Sequence, residues 1–144
     1  MIKIRQFCLA DLSAVMEIRK NSLPDAWQES SFKRMFTRHP QEFLVAENGK
    51  EAVGYIIGAV KDSSGKINSL AIKPDWRKQG IGENLLRKAI GLIKRKGGKK
   101  IFLHVRTWNK EALEFYKNQG FGIIKTTNGH YKNGDDAYLM KKEI

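Results

Sequence analysis

The chain has one cysteine, three prolines and three histidines among its 144 residues, and each scarcity excludes something. Cys8 has no partner for an internal disulfide, which suits a reducing, cytoplasmic compartment. Histidines scattered at 39, 104 and 130, with one cysteine, offer no metal-ligand spacing, so no metal is expected. No apolar run reaches the length of a membrane-spanning helix, so no membrane partner is expected. The opening Met1-Ile2-Lys3-Ile4-Arg5 lacks the apolar stretch of a signal peptide. Repeats, low-complexity tracts and Pro/Ser-rich linkers are also missing, so residues 1–144 read as a single domain. A chain of this size buries roughly 68–70% of its unfolded surface and needs no staple.

Acidic residues are few as well: 15 against 27 basic ones, a net charge of +12. That excess suits an anionic partner such as nucleic acid, a membrane surface or a phosphorylated ligand, and equally a solvated lysine-coated surface. Much of it is crowded between Arg77 and Lys100.

Patterning sets the order of elements. Ile2 to Phe7 alternates as a strand does, and Asp11 stands as N-cap before Leu12, Val15, Met16 and Arg19 at helical spacing. Pro24 breaks that helix; a second, carrying Trp27, Phe32, Met35 and Phe36, ends at Pro40. Strands Phe43–Ala46 and Ala52–Val60 flank Asn48-Gly49, a hairpin signal. Asp62 to Gly65 turns the chain into a strand, Ile67–Ile72, that stops at Pro74. Ile81, Leu85, Ala89 and Ile93 form one helical stripe, ended by Gly97-Gly98. There follow a strand from Lys100 to Val105 and a helix capped by Asn109 and stopped at Gly120. Strands Phe121–Thr126 and Asp136–Met140, turned by Asn133-Gly134, close the chain. The order β-α-α-β-β-β-α-β-α-β-β predicts an α/β domain with a mixed sheet.

Arg77-Lys78-Gln79-Gly80-Ile81-Gly82 lies between a strand and the longest helix. Glycines there let backbone approach an anion, and the unpaired N–H groups of the helix start point at it. Neither the G-x-x-x-x-G-K-[ST] loop nor the G-x-G-x-x-G dinucleotide pattern is present; Leu85 stands at the third glycine of the latter.

This loop, preceded by Ser69-Leu70-Ala71-Ile72-Lys73-Pro74, resembles the acetyl-CoA-binding core of the GNAT family of N-acetyltransferases. That family's loop reads R/Q-x-x-G-x-G/A. Asn109 to Phe121 is similar to its N-x-x-A-x-x-x-Y-x-x-x-G-F segment. The resemblance covers nearly the whole chain and implies a mixed, mostly antiparallel sheet of about seven strands flanked by four helices. Within the family the chain is most similar to N-terminal acetyltransferases: the ribosomal-protein alanine enzymes and their archaeal and eukaryotic relatives. Leu103-His104-Val105-Arg106, Tyr131 to Met140 and Leu23-Pro24-Asp25 carry that likeness. Where the bacterial enzymes have a glutamate this chain has His104, and His130-Tyr131 replaces a tyrosine pair. Trp108 stands where relatives often have a serine.

The resemblance implies that acetyl-CoA is held by Arg77, Lys78, Gln79, Gly80, Ile81, Gly82 and Glu83, by backbone groups of Leu70, Ala71 and Ile72, and by Asn109 and Tyr116. Tyr116 then protonates the departing thiolate, and His104 accepts the amine proton directly or through water. Leu23, Pro24, Asp25 and Tyr131 fall on the acceptor side, Asp25 being a second candidate base. Apart from the motif, Tyr116 fits the buried face of an amphipathic helix, and His104 alternates with Phe102 as a core histidine would. The function implied is direct transfer of acetyl to the α-amine of a protein N-terminus, a ribosomal protein among the candidates, with nucleic acid not required. An α-amine has an unperturbed pKa of about 7.7–8.0 against about 10.4 for lysine, so a weak base suffices. Two alternatives stand beside it: acetylation of a small amine or lysine side chain, and a catalytically inactive basic module binding RNA or the ribosome. Oligomeric state has no signature in the sequence.

Overall fold

A computed structural model describes residues 1–24 and 27–144. Its sheet holds β1 (Ile2–Gln6), β2 (Phe43–Asn48), β3 (Glu51–Lys61), β4 (Ser64–Ile72), β5 (Lys100–Arg106), β6 (Gly122–Thr127) and β7 (Ala137–Glu143) in the order β1-β2-β3-β4-β5-β7-β6. Every neighbouring pair is antiparallel except β4 and β5. Helices α1 (Leu12–Ser22) and α2 (Glu29–Arg38) cover one face. The other face is covered by α3 (Ile81–Arg95) and α4 (Lys110–Asn118). Seven strands and four helices among the described residues match the expected architecture.

Alternation along the strands sorts side chains into two cores. Tyr55, Ile57 and Ala71 meet Val15 and Ile18 of α1 and Phe32 of α2. Ile56, Ile67, Leu103 and Val105 meet Leu85, Leu86, Ala89 and Ile93 of α3 and Tyr116 of α4. Lys96, just past α3, reaches the fully buried Glu42 at 2.9 Å, so part of the basic excess fastens that helix to the sheet.

Several local readings need correction. Asp11 does not cap α1 with its side chain: Arg5 takes the carboxylate with two nitrogens, at 2.7 and 2.8 Å, and the Cys8 N–H donates to it at 2.9 Å. Trp27 precedes α2 and packs on Phe32 instead of lying on the helix. The first hairpin turns at Gly49-Lys50, because Gly49 takes the positive φ of 61° while Asn48 stays in β2. Asp62, at φ 56°, closes the next hairpin tightly, so β4 begins at Ser64.

The feature that positions the site is how little β4 and β5 pair. Only Ser64, Gly65 and Lys66 face Lys100, Ile101 and Phe102. Immediately beyond, the β3–β4 register slips: Ile57 faces Ser69 while Gly58 faces Ile67, leaving Asn68 as an extra residue on β4. A bulge of this kind bends and twists its strand, and from there β4 leaves β5 as a widening wedge. At the closed end, Ile93 of α3 sits in a hollow bordered by Gly58, Gly65 and Gly98.

A methyl group on Gly65 would stand 2.7 Å from Ile93 Cγ2. Gly65→Ala should therefore cost about 1–3 kcal/mol in urea unfolding, the usual penalty of overpacking. Gly91→Ala, on the open side of α3 with nothing within 4 Å, should instead add about 0.5–1 kcal/mol. Equal effects of the two changes would contradict this packing.

Candidate active site

The wedge exposes backbone. Lys73 donates its N–H to Val53 at 2.8 Å. Antiparallel pairing alternates, so Ala71 turns both its backbone groups to Tyr55 on β3. Leu70 and Ile72 turn theirs to the wedge, where β5 has already left. Of the three residues expected to offer backbone groups, Leu70 and Ile72 have theirs on the wedge side and Ala71 has its on the β3 side. The Ile72 carbonyl accepts from Arg77 Nε at 3.0 Å, which folds the start of the glycine loop over the end of β4.

Beyond a 3-10 turn (Pro74–Trp76), Lys78 and Gly80 both take positive φ, 60° and 84°. For lysine that conformation is strained by roughly 1–2 kcal/mol, and it winds the loop into α3. Helical bonding starts with Asn84 N–H to the Gly80 carbonyl at 3.0 Å. The N–H groups of Ile81, Gly82 and Glu83 precede that first bond, and Gly80 has no side chain to cap them. The Glu83 carboxylate is drawn aside by Arg87, at 3.1 Å. Uncapped amides beside Arg77 and Lys78 are the donor set a pyrophosphate requires, so the chain's residues fit coenzyme A. Asn109 is largely committed elsewhere: its side-chain oxygen caps α4 by accepting from Ala112 N–H at 3.1 Å. Gln79 Nε2 donates within the loop, to the Asp75 carbonyl at 3.2 Å.

On the other side of the wedge, Leu103 and Val105 enter the α3–α4 core. Alternation sends Phe102, His104 and Arg106 to the opposite face. His104 is half-buried and lies flat against His130, ring centres 3.9 Å apart and planes 13° from parallel. Burial pushes its pKa down to about 4, helped by His130, Lys66 and Lys125, so it is neutral throughout the neutral range. Tyr131 stands edge-on to His130, with the Arg106 guanidinium carbon 3.6 Å from the centre of its ring.

Tyr116 approaches from the α3–α4 side and is buried, edge-on to Phe115 and Phe121. Burial holds its phenol well above the usual tyrosine range, and the phenols of Tyr131 and Tyr55 push in the same direction. Tyr55 lies in the opposite core and shares a 2.7 Å hydrogen bond with Ser69 of β4, to which Arg19 of α1 also donates at 2.7 Å. Tyrosines from both faces of the sheet are therefore within electrostatic reach of one another. Leu23 closes α1 by donating to the Arg19 carbonyl at 2.9 Å, and Pro24 follows it on the surface. Asp25 lies outside the described residues.

Sequence reasoning missed His130, Arg106 and Asp135 as members of this site, and with them the Arg19–Ser69–Tyr55 chain. A signal existed for Arg106, an arginine alternating with His104 on a strand whose positions 101–103 and 105 are apolar.

Comparison with known proteins agrees with this fold. Residues 12–121 match the sequence model of the acetyltransferase (GNAT) family. The chain belongs to that family. It is 36% identical over 142 residues to a Bacillus subtilis protein provisionally assigned as a [ribosomal protein bS18]-alanine N-acetyltransferase, covering 95% of this chain and 92% of that one. It is 29% identical over 151 residues to an N-alpha-acetyltransferase of Sulfurisphaera tokodaii, covering 96% and 90%. The crystal structure of Ard1 from Thermoplasma volcanium superposes with a TM-score of 0.96 at 27% identity, covering 99% of this chain and 97% of that one.

A Cβ on Gly82 would make an ordinary contact with the Phe115 ring, at 3.5 Å. Gly82→Asp should thus fold normally while its carboxylate meets the bound pyrophosphate. Calorimetry should show acetyl-CoA affinity lost; unchanged affinity in a folded variant would remove the glycine loop from the site.

Proposed function

We propose that this protein is a cytoplasmic, acetyl-CoA-dependent acetyltransferase that acts directly on the α-amine of protein N-termini. The observation that carries this reading is the wedge itself. It connects an uncapped helix N-terminus, suited to a pyrophosphate, with a neutral imidazole and a protonated phenol, suited to proton transfer around an amine. The named relatives support an α-amine as acceptor, and the Bacillus subtilis relative favours a ribosomal protein N-terminus among the possible acceptors.

Acetyl-CoA, when bound, supplies a thioester carbonyl to be attacked by the acceptor nitrogen. The amides of Ile81, Gly82 and Glu83, with Arg77 and Lys78, hold the anionic end. Leu70 and Ile72 offer backbone donors along the wedge, where the arm and the reacting carbonyl need them. His104, uncharged above about pH 4, receives the proton the amine gives up, directly or through one water. Tyr116, whose burial keeps its hydroxyl protonated, delivers a proton to the departing sulfur. The amine thus gains an acyl group and loses a proton, and the thiolate leaves as a thiol.

Peptides with a free α-amine should be acetylated, and the same peptides with a blocked α-amine and an internal lysine should not. Equal or faster transfer to that lysine would overturn the reading. On a free-amine peptide, Tyr116→Phe should lower turnover roughly 10²–10⁴-fold from pH 6 to 9, the usual contribution of acid–base assistance. The deficit of His104→Ala should shrink toward pH 9, because solution then deprotonates an amine whose unperturbed pKa is about 7.7–8.0. A His104→Ala deficit that stays constant across that range would assign the histidine to packing.

A further inference from the structure

Nine residues, 128–136, connect β6 to β7 with no regular structure of their own. Surface loops are ordinarily among the most mobile parts of a fold. This one is held at its base by Thr107 N–H to the Asp136 carbonyl at 3.1 Å and Gly129 N–H to Asp136 Oδ1 at 2.8 Å, and further along it gathers three side-chain donors on one carboxylate oxygen. Asp135 Oδ2 accepts from Arg106 Nε at 3.0 Å, Trp108 Nε1 at 3.1 Å and Asn133 Nδ2 at 2.9 Å. It thereby joins the end of β5, the β5–α4 connection and the loop. Within the loop, Asp135 N–H donates to Asn133 Oδ1 at 3.0 Å, and Tyr131 N–H to the Asp135 carbonyl at 3.2 Å. These donors hold the Asp135 carboxyl below its usual range, which keeps the tie ionised.

None of this serves either hydrophobic core. Asp135 and Tyr131 are half-buried and His130 is exposed, yet their ordering converges on His130, stacked on His104, and on Tyr131, which stands edge-on behind His130. Arg106 does two things at once: it holds Asp135 with one edge and lies across the Tyr131 ring with its face. It is two residues from His104 on the same face of β5. We propose that Arg106 and Asp135 are positioning residues that seat His130 and Tyr131 as a fixed wall over His104, setting where an acceptor amine meets the base. This rests on the reading of His104 as the proton acceptor. The wall has a second consequence, since two stacked imidazoles resist charging together. Lys66 of β4, Lys125 of β6 and Arg106 of β5 add to that resistance from the strands around the pair.

Asp135→Ala removes the tie at a surface loop and leaves both cores intact. With a free-amine peptide, its KM for the peptide should rise at least tenfold. KM for acetyl-CoA should stay within twofold, and the variant should stay folded under assay conditions, its urea midpoint lowered because the buried Arg106 loses its carboxylate. Arg106→Lys keeps the charge but not the planar fork, and should show the same split. A second readout needs no substrate: proton NMR titration of His104. It should titrate near 4 in the native protein and move toward the ordinary histidine value of about 6.5 in Asp135→Ala, as His130 leaves its face. If both KM values change together, or neither does, or the His104 titration stays in place, the positioning role is overturned. The titration separates this proposal from the function it rests on: a shift in His104, in a protein that acetylates no peptide, would uphold the wall and reject the acceptor.

Discussion

Asn68 is one residue too many for the strand beside it, and the bend it forces on β4 decides what the sheet can do. Parallel strands ordinarily continue side by side until a loop ends them; here pairing stops at Lys66 and Phe102. Backbone donors and acceptors that would have bonded across the sheet are left facing a gap at its centre. Gly58, Gly65 and Gly98 hold α3 close to the sheet at the paired end through Ile93, while its uncapped N-terminus stands beside the open end.

Charge is divided along this wedge. The end proposed for the cofactor combines Arg77, Lys78 and a helix N-terminus, and the acid in the helix's first turn, Glu83, is drawn off by Arg87. The end proposed for the acceptor holds an imidazole kept neutral and a phenol kept protonated, both chiefly by burial, with Lys66 and Lys125 adding positive potential at the imidazole. Its strongly charged pair, Arg106 and Asp135, neutralise each other. Such surroundings do not stabilise an ammonium group and so favour loss of its proton. A cationic end for the phosphates and an end that favours an uncharged amine are what transfer from a phosphorylated carrier to an amine requires.

Much of this was legible where a local rule decides the outcome. The stripe of Ile81, Leu85, Ala89 and Ile93 is the buried face of α3, Asn109 caps α4, and the glycine loop winds into an uncapped helix as its residues require. The misses have a common physical cause. Asp11 reads as an N-cap from its neighbours, but a strand residue, Arg5, takes its carboxylate first. The bulge at Asn68 is a mismatch between two strands, invisible in either alone. Arg106 and Asp135 are 29 residues apart, so only the finished sheet brings them together. Alternation could say that Ala71 faces away from Leu70 and Ile72, but not which side would be left unpaired.

Amide hydrogen exchange along β4, measured with and without acetyl-CoA, tests the central claim most directly. Ala71, bonded to β3, should exchange slowly in both states. Leu70 and Ile72 should exchange fast in the free protein and become protected when acetyl-CoA binds. If acetyl-CoA binds and the exchange of Leu70 and Ile72 does not change, the wedge is not the site of transfer.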